Sequence, residues 1–275
     1  MTGVDPADEA TKKSEGRFET DYTRYLNADA LSGARIGMAR DFLGQDPEVD
    51  WIIEASVEAM RAAGAAIVDV HLPKWLLEIN GDLYTTIRHR EFRAQLPDYL
   101  ATLAPGFPKS LAELVEQSLE LTSPTESGRP NPTRWSLMQR EDKSGKLTDY
   151  EYQAVHDHAL PLVRAIVQGL MRSENLDAIV YPTSPRRPAR LDADPDPASP
   201  DATSPIRLAN LTGFPDLVVP AGFTGRGLPV GISFLGLAFS EPRLLALGFA
   251  FEQATRARRT PVNTPPLSGE TFHYD

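Results

Sequence analysis

Apolar and polar positions along this chain follow two different periods, and the switches between them mark out its elements. Ala34–Ala39 (ARIGMA) is a short apolar run of strand length. Behind it, Val49, Ile52, Ile53, Val57 and Met60 recur near a period of 3.6, as the buried face of a helix does. Asp46 suits the N-cap of that helix, Pro47 its first position, Glu48 its dipole and Gly64 its end. Ala66–Val70 is a second apolar run. Strand, helix and strand over 34–70 predict a βαβ unit with parallel pairing.

From 74 to 175 the pattern is helical, with candidates at Trp75–Leu103, Ser110–Leu121 and Asp149–Arg172. Breaks are expected at Pro97, Ala104–Pro108 and Ser123–Pro132. Ala178–Tyr181 returns to strand character. Pro182–Pro205 then carries seven prolines, which predicts a long irregular loop. Asp216–Phe223 and Val230–Leu235 read as strands turning at Gly225, Arg226 and Gly227, a hairpin signal. Ser240 is expected to cap a last helix, Glu241–Ala257, with Arg256, Arg258 and Arg259 as charges at its end. Residues 1–30 are polar, an arm packing through Tyr22 and Tyr25. The class is therefore α/β, a mixed β-sheet flanked by helices, in one domain. Its parts are the arm (1–30), the βαβ unit (34–70), a helical layer (74–175) and a C-terminal part of strands, proline-rich loop and last helix (176–275).

Charge and composition narrow the function. The net charge of −10 argues against a nucleic-acid partner, which needs basic footing on phosphates. Zero cysteines remove disulfides, thiol catalysis and thiolate metal sites together. No apolar run approaches the ~18 residues of a membrane helix, and the first residues, MTGVDPADEATKK, do not form a signal peptide. Compartment is left open.

Candidate chemistry is sparse. The nearest approach to a nucleophile elbow, Gly231-Ile232-Ser233, has Leu235 where its second glycine belongs, so Ser233 reads as a strand residue. His156 and His158 would point ~200° apart on a helix and could not share an ion. Asp192, Asp194 and Asp196 imitate the start of a calcium loop, but Pro197 takes the place of its glycine and Thr203 of its closing carboxylate. Gly225 and Gly227 join strands rather than open a helix, so they form no nucleotide fingerprint. Carboxylate pairs such as Glu48 with Asp50 and Glu54 with Glu58 do not converge. No cofactor is expected.

Two stretches carry more. NLTGFPDLVVPAGFTGRGLPVGISFLG, from Asn210 to Gly236, and LDAIVYPTSP, from Leu176 to Pro185, resemble the closing third of amidase signature enzymes. GARIGMARDFLGQDPEVDWIIEASVEAMRAAGAAIVDVHLP resembles the segment that follows the catalytic core in that family, and MTGVDPADEAT the linker just after that core. The resemblance implies hydrolysis of carbon–nitrogen amide bonds by a nucleophilic serine, a second serine in a cis peptide and a neutral lysine. In the family these sit in and before a glycine- and serine-rich signature, whereas this chain has no Gly-Gly and no Ser-Ser pair. Its six lysines (Lys12, Lys13, Lys74, Lys109, Lys143 and Lys146) all lie in polar or turn-like contexts.

The resemblance thus implies a C-terminal portion of an amidase with no catalytic residue of its own and inactive alone. The alternatives are a split-enzyme subunit completed by another chain and a non-catalytic module. Pocket wall is what can carry over: Pro182, Thr183, Asn210, Gly213 and Phe214 are the candidate substrate-binding residues. The implied partners are a small-molecule carboxamide, an N-terminal amidase half or a second copy. Glutamine-handling members carry an acidic residue shortly before the asparagine turn; the corresponding place here is near Thr203, which disfavours a transamidosome role.

Overall fold

The structure is a computed structural model and describes residues 3–120, 132–188, 205 and 207–260. In chain order its strands and helices are β1 (Arg35–Ala39), α1 (Pro47–Ala62), β2 (Ala66–Val70), α2 (Lys74–Ala101), α3 (Leu111–Glu120), α4 (Pro132–Asp142) and α5 (Tyr150–Ala154). A π turn (Val155–Ala159) leads into α6 (Leu160–Ser173), followed by β3 (Ala178–Pro182), α7 (Arg207–Thr212), β4 (Asp216–Phe223), β5 (Pro229–Leu235) and α8 (Glu241–Thr255). These form two compact units. One runs to Pro73 and resumes at Gln168; the other is Lys74–Val167.

The first unit is built on a five-stranded sheet of order β2-β1-β3-β5-β4. β1 pairs parallel with β2 and β3, while β5 runs antiparallel to both β3 and β4. The sheet is therefore mixed, with the expected parallel βαβ unit at one side and the expected hairpin at the other. One residue in two, Ile36, Met38, Ala178, Val180, Ile232, Phe234 and Val219 among them, faces a cluster completed by α1 and α8. The α1 start is as the sequence suggests: Pro47 opens it and the Asp46 carboxylate accepts from Glu48 N–H at 3.1 Å. Beyond its end, Gly64 has φ +94°, a left-handed conformation that a side chain would strain.

One carboxylate ties the N-terminal ends of β1 and β3 to α8. Asp177 accepts from Arg35 N–H at 2.8 Å and from Arg243 of α8 at 3.0 Å. At the hairpin turn, Thr224 N–H reaches Leu228 O at 2.9 Å and Gly227 N–H reaches Thr224 O at 2.8 Å. Arg256 ends α8 in a left-handed conformation, and the Arg259 guanidinium lies 4.8 Å from the Phe223 ring centre. Ser240 stands at the N-cap of α8, but its hydroxyl makes no capping bond; its carbonyl accepts from Arg243 and Leu244 N–H instead.

The second unit is helical and is crossed by polar bridges. Arg88 of α2 pairs with the fully buried Glu141 of α4 at 2.5 Å, and Tyr152 of α5 donates to Glu91 at 2.8 Å. Burial, then the Glu91 bond, pushes the Tyr152 phenol up to about 12. Two expectations fail here. α2 runs through Pro97, because the lost bond falls in the last turn and a half. α4, absent from the candidates read from sequence, opens at Pro132, where a first-turn proline forfeits no helical bond. Among the described residues no helix is long and apolar enough to cross a membrane.

Candidate functional site

Helices and open loops of an α/β sheet meet at the carboxyl ends of its parallel strands, where ligand sites usually form. Here β3 ends at Pro182, and Thr183 holds the next rung, its N–H on Gly231 O at 3.0 Å. Thr183, Ser184, Arg186 and Arg187 line a cavity of about 710 Å³ whose other walls are Val49, Val218–Pro220 and Pro229–Gly231. That volume suits a small molecule.

The loop after β3 is pinned by a cluster that joins three segments distant in sequence. Arg187 donates through Nε to Asp46 at 2.6 Å and through its backbone N–H to the same oxygen at 3.2 Å. Its Nη1 pairs with Glu48, whose other oxygen accepts from Gly225 N–H at 2.9 Å. The start of α1, the loop and the hairpin turn are thereby linked through two carboxylates. Burial alone would raise the Asp46 carboxyl; the bonds from Arg187 and Glu48 N–H outweigh it and hold it below the usual range.

Behind the cavity, the sheet face opposite the apolar cluster carries polar side chains. Thr183 Oγ1 lies 3.0 Å from the Oγ of Ser233, which is fully buried on β5. Tyr181, also fully buried, donates to Asp216 Oδ2 at 3.1 Å and meets the Phe42 ring edge-on at 5.6 Å. Burial pushes the Asp216 carboxyl up, opposed by the Tyr181 and Ser233 hydroxyls. Burial, reinforced by the Asp216 charge, pushes the Tyr181 phenol well above its ordinary value.

The five residues expected from sequence separate in space. Thr183 lines the cavity. Pro182 is buried one position earlier and pairs with Ile232, so the strand's alternation turns it to the apolar face. Asn210 is exposed on α7, a helix where a turn was expected. Gly213, exposed with φ +68°, ends that helix by donating to Ala209 O at 2.8 Å. Phe214 is buried, its N–H on Thr212 Oγ1 at 3.2 Å.

Arg187 and the second task of Asp46 were missed, since no local pattern announces a contact across 141 residues. Ser233 and Asp216 could have been noticed as polar residues inside apolar strands. The other early candidates fall out on geometry. All six lysines are exposed. His156 and His158 lie on the π turn, and His156 Nδ1 is 2.6 Å from Asp157. Among the described residues no three His, Cys, Asp or Glu side chains are grouped to hold a metal. Asp192, Asp194, Asp196 and Thr203 lie outside the described residues.

Comparison with known proteins agrees with this architecture. The family model described as Amidase matches residues 1–245. A glutamyl-tRNA(Gln) amidotransferase subunit from Caldanaerobacter subterraneus subsp. tengcongensis is 30% identical over 267 residues, covering 95% of this chain and 52% of that protein. A probable amidase of Arabidopsis thaliana is 28% identical over 265 residues, covering 95% and 46%. The native peptide amidase from Stenotrophomonas maltophilia superposes with a TM-score of 0.74 at 31% identity, over 94% of this chain and 50% of that one. The chain thus spans about half the length of the relatives it matches. A mixed sheet flanked by helices, matched along nearly all of its length, places this chain in the amidase family.

Proposed function

We propose that this chain is the C-terminal portion of an amidase signature hydrolase and supplies pocket wall rather than catalytic groups. In this reading residues 1–275 form one partial amidase domain. The observation that carries it is a match over 94% of the chain to half of a peptide amidase, in a sequence with no Gly-Gly pair, no Ser-Ser pair and no buried lysine. Amide hydrolysis by the serine, cis-serine and lysine route needs an activated nucleophile and backbone donors for the oxyanion. These would come from a segment outside this chain. Thr183, steadied by Ser233 and the Arg187 cluster, would offer its hydroxyl to a carboxamide substrate, while Pro182, Asn210, Gly213 and Phe214, which do not line this cavity, would have no direct part in holding it.

The edge of the sheet supports completion by further structure. β4 is its last strand, eight residues long, and carries Leu217, Val218 and Val219 in succession with Val218 51% exposed. An apolar edge of that length invites pairing. The segment that completes it could be another chain, since one matched relative is itself named as a subunit.

The test is reconstitution. The chain alone should release no ammonia from peptide amides or simple aryl carboxamides. Co-expression with a chain bearing the Gly/Ser signature half of an amidase should give a complex that does. If such halves never associate, or the chain alone turns substrate over, the reading fails.

A further inference from the structure

Thr183, on the wall of the cavity after β3, is bonded into the interior of the sheet. Its Oγ1 lies 3.0 Å from Ser233 Oγ, and that distance alone lets either hydroxyl donate. The choice is made one step further in. Ser233 pairs with Val218 of β4, and Asp216, two residues before Val218, points to the same face. Asp216 Oδ2 accepts from Tyr181 at 3.1 Å, while the enclosed Oδ1 has no hydrogen-bond partner and draws on the nearest proton. Burial raises the Asp216 carboxyl, and the Tyr181 and Ser233 hydroxyls draw it back down, which they do only with their protons aimed at it.

Counting protons then fixes the direction. An ionised carboxylate accepts and never donates, and a serine hydroxyl has one proton. With that proton turned to Asp216, Ser233 can only accept from Thr183. The Thr183 proton is thereby turned into the sheet, and a lone pair is what its hydroxyl has left for the cavity. Ser184, the other hydroxyl on the wall, donates to Arg186 O at 2.8 Å, so its proton is engaged as well. Among the described residues, the other polar side chains on the wall are Arg186 and Arg187, which carry donors alone.

We propose that Asp216 and Ser233 are positioning residues that make Thr183 a pure acceptor, so that the cavity selects ligands presenting an N–H over isosteres presenting an oxygen. A carboxamide suits both kinds of group, its N–H toward Thr183 and its carbonyl toward the arginines. That a carboxamide fills the cavity rests on the amidase reading; the direction of the hydroxyl does not. An ester would set its alkoxy oxygen against the Thr183 lone pair and leave both without a donor.

The probes are N-methylbenzamide and methyl benzoate, which differ by N–H against O, titrated into the chain alone and followed by ligand-observed NMR. The parent chain should bind the amide about tenfold tighter, the size of one unmet hydrogen bond. Ser233→Ala frees the Thr183 proton to turn outward, so the ester should tighten about fivefold while the amide changes little. Asp216→Asn, whose side chain donates as well as accepts, should shift the ratio the same way by less. Thr183→Val should weaken the amide alone. Damage to the fold would weaken both ligands and could not tighten the ester. Equal affinity of the parent chain for the two probes would overturn the proposal, as would binding of neither. So would ester affinities in Ser233→Ala and Asp216→Asn no better than the parent's. The ratio needs no turnover, so reconstitution can succeed while this fails, and the reverse.

Discussion

The two faces of the β3–β5–β4 sheet are built by alternate residues of the same strands, yet they differ in kind. One is apolar throughout: Val180, Ile232, Phe234 and Val219 interlock with α1 and α8. The other carries Tyr181, Thr183, Ser233 and Asp216, joined by hydroxyl–hydroxyl and hydroxyl–carboxylate contacts. Area burial stabilises the first face whatever the detailed partners, whereas the second contributes only while each polar atom keeps its partner. A fold needs the first kind of face. The second kind, next to a cavity, is where side chains can be held for chemistry.

Substitutions test that contrast directly. Phe234→Ala, on the apolar face and packed 5.8 Å from the Phe251 ring, should cost about 3–5 kcal/mol in urea unfolding. Ser233→Ala, which leaves Thr183 Oγ1 without its partner, should cost about 1–3 kcal/mol. Adding Thr183→Val should then recover much of that loss, because removing both partners is cheaper than removing one. A double-mutant cycle showing plain additivity would break the distinction between the faces. Asp46→Ala, which removes the α1 cap as well as the Arg187 contact, should cost at least about 1 kcal/mol and free the Arg187 amide to exchange.

The smallest effect is one of pH. Asp46 is held below the ordinary carboxylate value, so its contribution is present above that value and lost as pH falls through the lower, folded one. Asp216 is raised, so folding is favoured while it is protonated, and that contribution is lost as pH rises through its folded value. Asp216→Asn should therefore gain on the parent chain as pH rises from about 4 toward neutrality. Asp46→Asn should lose ground only below that range, as pH rises toward about 4, and run parallel to the parent above it. Unfolding curves at four or five pH values would separate the two, and parallel profiles would refute the assignment.

Much of the fold was legible because it is written locally. The β2 and β4 boundaries follow short apolar runs, and the Asp46-Pro47 start of α1 follows cap chemistry. What misled was proline, which looks alike whether it opens a helix, as Pro132 does, or sits within one, as Pro97 does. α7 was missed because six residues are too few to display a period. The site was less legible than the fold. Thr183 could be placed from its strand end, but Arg187, Asp46, Ser233 and Asp216 are brought to it by pairings that only the folded chain contains.

The insertion of Lys74–Val167 between β2 and β3 sets a timetable for synthesis. β1 and β2 leave the ribosome before that insertion, and β1 must wait for a neighbour tied to it by Arg35 and Asp177, 142 residues apart. At about 5–20 residues per second, that wait lasts roughly 7–30 s. Throughout it the βαβ unit has an open strand edge and an apolar face not yet covered by α8, the last described helix to emerge. This chain should depend on chaperones more during translation than a domain of equal size whose strands follow one another directly.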